Sequence, residues 1–102
     1  MITVMVTYTV KADFIETNKR NIADFLEVFG QLPEKNFTYR VLLKNDGNTF
    51  VHLSSYKNKE IQDLILSVSA FLHFQKERDE KGLKTQPVIE FMEHIGGAHL
   101  AF

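Results

Sequence analysis

His52 is the side chain of greatest chemical interest in this 102-residue chain, because an imidazole titrates near neutrality and on a sheet face can act as base, acid or ligand. It lies in the run Thr49-Phe50-Val51-His52-Leu53-Ser54, rich in aromatic and β-branched residues. Arg40, in the preceding apolar run, would clamp a carboxylate bidentately if it stood beside His52; otherwise Glu90 or Glu93 is its expected partner. We take His52 as the candidate catalytic group and Arg40, Phe50, Ser54 and Phe74 as candidate ligand contacts. The competing role for His52 is structural, a hydrogen bond across the interior to Ser54 or to a group on a partner chain. Ser54 and Ser55 lack the glycine context of a nucleophile elbow and read as strand hydroxyls.

The residue inventory excludes much else. With no cysteine there is no disulfide, thiolate nucleophile, iron–sulfur ligation or thiolate zinc site. His73, His94 and His99 form neither a four-apart helical pair nor a His-x-His strand pair, so no metal and no other cofactor is expected. Twelve basic against thirteen acidic residues leave a net charge of −1, with no broad electrostatic footprint for nucleic acid or an anionic membrane. The first residues lack the basic and small-residue signals of a secretory leader, and no apolar run approaches the ~18 residues of a membrane helix. A soluble, cytoplasmic, single-domain protein spanning residues 1–102 is expected.

The elements that must position these residues follow from hydrophobic periodicity. Ile2, Val4, Val6, Tyr8 and Val10 alternate with Thr3, Met5, Thr7 and Thr9, the period of a strand. Asp13 and Glu16 imitate a capping box, and Ile15, Ile22, Phe25, Leu26 and Phe29 recur at helical spacing before Gly30 and Pro33. Two strand-like runs, 37–44 and 49–56, flank Asn45-Asp46-Gly47-Asn48, a hairpin signal. A three-residue loop, Asn45-Asp46-Gly47, is favoured: it puts Tyr39, Val41 and Leu43 with Val51 and Leu53 toward the helices, and Arg40 and Leu42 with Phe50 and His52 on the other face. A two-residue turn at Asp46-Gly47 reverses that parity and places His52 with Val41. Asn58 caps a second helix with Ile61, Leu64, Ile65, Val68, Phe71 and Leu72 on one stripe, Phe74 off it, and a charged end from Lys76 to Lys84 that reads as solvated. Residues 87–95 form a last strand before Gly96-Gly97.

Strand–helix–strand units cross over right-handedly, so this order makes an α+β, ferredoxin-like βαββαβ domain with a four-stranded antiparallel sheet and both helices on one side. The bare side then carries Leu42, Phe50, Met5 and Met92 among Thr7, Thr38, Arg40, His52 and Ser54. Such a face is too apolar to be left in water, and a homodimer closing over it is expected. The alternative is a monomer with a semi-polar open face. Leu100 and Phe102 in the tail are expected to lie on the partner chain.

The arrangement resembles the dimeric α+β barrel superfamily that includes antibiotic biosynthesis monooxygenases. Asp46-Gly47-x-Thr49-Phe50-Val51-His52, Ala70-Phe71-x-x-Phe74-Gln75 and Ile95-Gly96 resemble a branch of small bacterial proteins. The resemblance implies a homodimer and a cavity for a small aromatic or hydrophobic molecule, with cofactor-independent oxygenation as the enzymatic version and a non-catalytic dimerisation or regulatory module as the alternative. Haem-degrading members of the superfamily use a tryptophan, and this chain has none.

Overall fold

The computed structural model describes residues 1–99. Its elements are β1 (Ile2–Thr9), a 3₁₀ turn (Ala12–Phe14), α1 (Ile15–Gln31), β2 (Phe37–Leu43), β3 (Thr49–Tyr56), α2 (Lys59–Leu66), α3 (Ser69–Glu77), a π-helical turn (Arg78–Gly82) and β4 (Val88–Met92). The strands form one antiparallel sheet in the order β2-β3-β1-β4. This is the expected ferredoxin-like α+β order, with the second helix in two pieces. The tail residues Leu100 and Phe102 lie outside the described residues.

Period-two alternation sends Val4, Val6 and Tyr8 of β1 toward the helices, while Thr3, Met5 and Thr7 face away. On α1 the buried stripe is Asn18, Asn21, Ile22, Phe25 and Phe29, at the i, i+3, i+4, i+7 spacing of one helix face. The expected capping box is absent: the chain enters α1 through the 3₁₀ turn, and no side chain caps either start. Gly30 does not end the helix, which runs on through Gln31. Asn58 does cap α2, its Oδ1 accepting the Ile61 N–H at 3.0 Å.

The hairpin departs from the favoured register. Its loop has four residues, 45–48, between Lys44 and Thr49, whose N–H and C=O pair at 2.9 Å. Asp46 organises it: Oδ1 accepts the backbone N–H groups of Asn48 (3.0 Å) and Thr49 (2.9 Å), and Oδ2 accepts the Thr49 hydroxyl. These bonds hold its carboxyl below the usual carboxylate range, the Thr49 hydroxyl contributing most. Gly47 takes the left-handed φ of +82°. An even-length loop pairs Val41 with His52, Tyr39 with Ser54 and Leu43 with Phe50. The parity is therefore that of the two-residue alternative. Phe50, His52 and Ser54 face the helices and are buried, whereas Arg40 and Leu42 stand exposed on the opposite face.

The second helix breaks at Ser67-Val68. Val68 is extended (φ −60°, ψ 132°), and the chain re-enters helix at Ser69. The break resets the buried face. Ile61 and Ile65 remain inside, but Leu64 and Leu72 are about half exposed, and the stripe continues as Phe71, Phe74 and then Arg78. The core is an aromatic assembly in which Phe25 packs against Phe29, Tyr39, Phe71 and Phe74 at ring-centroid distances of 4.9–5.4 Å.

Candidate functional site

Two tyrosine hydroxyls, from β1 and β2, meet the His52 imidazole of β3, and an amide from α1 joins one of them. Its Nε2 lies 2.7 Å from the Tyr8 hydroxyl of β1, and its Nδ1 lies 2.8 Å from the Tyr39 hydroxyl of β2. The Tyr8 oxygen in turn accepts from Asn18 Nδ2 of α1 at 3.0 Å. Strand registers make this possible: Val6 and Val41 flank His52 across the sheet, so Tyr8 and Tyr39 approach the ring diagonally from either side.

The bonding pattern assigns the protons. Tyr8 is 1 % exposed, its oxygen already accepts from Asn18, and His52 Nε2 is the one acceptor it meets among the described residues, so its single hydrogen goes to Nε2. Nε2 is then the bare nitrogen, and Nδ1 carries the hydrogen and donates it to Tyr39. The chain runs Asn18 to Tyr8 to His52 to Tyr39, each group donating to the next. Tyr39 is left with an unspent hydroxyl hydrogen at the network's end.

Burial keeps all of this neutral. It pushes the His52 pKa down to about 3, with the Arg78 charge adding a smaller push in the same direction. It raises Tyr8 to about 12, the Asn18 hydrogen bond opposing, and raises Tyr39 well above the ordinary tyrosine value. His52 is thus a neutral imidazole with both nitrogens engaged.

Between this network, α2, α3 and β4 lies a cavity of about 560 Å³. Val4, Val6, Tyr39, His52 and Ser54 form its sheet wall, and Leu66, Phe71, Phe74 and Arg78 its helical wall. It opens past β4, where the cavity-side residues Ile89 and Phe91 are 61 % and 73 % exposed. No helix covers β4, whose five residues are all exposed.

Arg78 is the cation of this wall, and its side chain is only 10 % exposed. Its guanidinium carbon lies 5.0 Å from the Tyr8 ring centre and 5.2 Å from that of Phe74, within cation–π range. Asp79, at the rim, accepts from Nε at 2.9 Å. The π-helical turn holds it there. Leu83 N–H bonds back to Arg78 C=O at 3.2 Å, while Gly82 C=O and Lys84 N–H tie to Lys11 and Thr9 beside β1, both at 2.8 Å. Gly82 abuts the Phe14 ring so closely that a Cβ there would overlap it.

Of the candidate residues, His52, Ser54 and Phe74 line this cavity. Phe74 is 1 % exposed and its ring lies 5.3 Å from the imidazole, so the break at Val68 has brought it onto the buried stripe. Phe50 does not reach the cavity; it stacks on Tyr8 at 5.7 Å and borders a separate cleft between α1 and β2. Arg40 is on the far side of the sheet, so it cannot act with His52 on one ligand. Nor does it meet Glu90, because β2 and β4 occupy opposite edges.

Asn18, Tyr8, Tyr39 and Arg78 were not singled out from sequence. Two signals mark Asn18 and Arg78 in retrospect: Asn18 sits a helical turn before Ile22 on an apolar stripe, and Phe71, Phe74 and Arg78 keep the i, i+3, i+7 spacing into the charged segment. Among the described residues no three His, Cys, Asp or Glu side chains gather as metal ligands would, and no helix is long and apolar enough to cross a membrane.

No protein-family model and no curated protein sequence matches this chain. Solved structures do. An antibiotic biosynthesis monooxygenase superposes with a TM-score of 0.81 at 13 % identity, covering 94 % of this chain and 100 % of the other. A conserved protein of Methanosarcina mazei gives 0.76 at 16 %, covering 89 % of each chain. SnoaB, a cofactor-independent oxygenase of Streptomyces nogalater, gives 0.72 at 14 %, covering 97 % of each. The fold is that of antibiotic biosynthesis monooxygenase-like structures, as the sequence resemblance implies.

Proposed function

We propose that this protein binds a small aromatic or hydrophobic molecule in the cavity between its sheet and the α2–α3 pair, and does so as a homodimer. The observation that carries the reading is the cavity itself. Its volume of about 560 Å³ is in the range of small-molecule sites, and its walls join an apolar majority to a few fixed polar groups. A barrel filled by its own side chains would favour the non-catalytic module instead.

The enzymatic form of the proposal is a monooxygenase-like reaction without metal or flavin, in which dioxygen is the oxidant and the substrate the reductant. The fold shared with a cofactor-independent oxygenase supports it. In that reaction Tyr39 is the group that meets the substrate, and His52 acts through it by holding the hydroxyl in place. The mixed outer face, where Leu42 and Val88 are 44 % and 57 % exposed beside half-buried Met5 and Leu53, supports association with a second copy.

Two measurements test the proposal. Light scattering at micromolar concentration should give twice the chain mass. Aromatic and quinone-like compounds should raise the melting temperature, since a ligand at 100 times its Kd stabilises the folded state by about 2.7 kcal/mol. No shift across a broad panel would favour the regulatory module.

A further inference from the structure

Resting on the cavity's role as a ligand site, we infer that its ligand is an aromatic monoanion whose charged oxygen is held between the Arg78 guanidinium and the Tyr39 hydroxyl hydrogen. The apolar walls demand the flat body: Val4, Val6, Leu66, Phe71 and Phe74 surround most of the space. The polar groups demand the charge. Arg78 is a cation with its side chain 10 % exposed, and Asp79 engages only its Nε side. That pairing through Nε alone leaves the terminal nitrogens to a second charge-assisted acceptor inside the cavity.

The sense of the hydrogen-bond chain supplies the second contact. Because Asn18 donates to Tyr8, and Tyr8 to His52, the imidazole donates to Tyr39, which must therefore present a hydrogen to the cavity. A donor on the sheet wall and a cation on the helical wall of one cavity select an acceptor oxygen bearing negative charge. One charge suffices, since Asp79 at the rim opposes a second. Asn18 does not line the cavity. It acts as a positioning residue, setting through two intermediates which way the last hydroxyl points.

The test uses the full chain and three probes of one shape: naphthalene carboxylate, the matching carboxamide, and methylnaphthalene. Calorimetry should show the carboxylate binding at least about tenfold more tightly than either neutral probe, the scale of one charge-assisted hydrogen bond. Arg78→Gln should abolish that preference, and Tyr39→Phe, which keeps the ring, should reduce it severalfold should the arginine variant fail to fold. Nitrogen-15 spectra of His52 should show Nδ1 protonated and Nε2 bare. Equal binding of all three probes, a preference surviving in both variants, or the opposite tautomer would overturn the inference while leaving the cavity a ligand site. No binding by any probe would overturn both.

Discussion

The two faces of the sheet obey different rules. On the helix-covered face the strands carry Tyr8, Tyr39, His52 and Ser54 among apolar residues, and the His52 nitrogens and the Tyr8 oxygen have partners within the same chain. On the outer face Arg40, Thr7, Thr38 and Glu90 are interspersed with Met5, Leu42, Val51, Leu53 and Met92 under no helix. Burial drives the first face to make its hydrogen bonds internally, with the Tyr39 hydrogen and the neighbouring Asn18 Oδ1 left over. The second face is under no such demand, so it carries polar and apolar side chains in no closed arrangement. The first face closes its polar groups around a cavity; the second leaves its apolar side chains uncovered within this chain.

The sharpest way to break this contrast is Phe25→Ala. Phe25 is fully buried and touches the rings that frame His52, so the variant should lose about 3–5 kcal/mol of stability in urea unfolding. A loss no larger than that of an outer-face truncation would erase the difference between the faces.

Acid should act next, and through the inner face alone. The folded His52 pKa, about 3, lies below the ordinary histidine value, so between roughly pH 6.5 and 3 the unfolded chain binds a proton that the folded chain refuses. The stability this group confers is complete above that window and falls as pH drops through it. Near pH 5 the loss from His52 should be about 2 kcal/mol relative to pH 7. Replacing His52 by Gln should flatten the stability profile there, and an imidazole signal titrating near neutrality would refute the burial.

Tyr8→Phe deletes the middle of the relay, leaving Asn18 Nδ2 and His52 Nε2 without their partner. A loss of about 1–3 kcal/mol in denaturant titration is expected. Leu42→Ser on the outer face should change subunit stability by no more than about 0.5 kcal/mol. It should nonetheless weaken self-association, measured by sedimentation at graded concentration; unchanged association would remove that face from the interface.

Much of the fold was legible because it rests on local patterns. Alternation in β1, the stripe of α1 and the Asn58 cap each involve residues within a few positions, and all three are found. The failures trace to single-residue events. One additional loop residue, Asn48, moved Phe50, His52 and Ser54 to the helix side and left Arg40 behind, because side-chain direction in a strand inverts with each residue of slip. One extended residue, Val68, turned Leu72 outward and continued the buried stripe through Phe74 to Arg78.

The candidate site was legible only in part for a related reason. His52, Ser54 and Phe74 could be named from residue chemistry and spacing. Tyr8 and Tyr39 could not be told from core aromatics, since only the neighbour at the hydroxyl distinguishes a packed ring from a relay. Arg78 sat in a run of alternating charge whose usual meaning is a wet helix end.

From composition and periodicity alone came the order βαββαβ, the antiparallel sheet and the want of a thiol chemistry, because these depend on residue type and on spacings shorter than one element. Which way His52 faces, who holds its two nitrogens and where the buried cation stands were decided only in three dimensions. They depend on loop parity and helix breaks, whose small local energies are settled by how whole faces pack against one another.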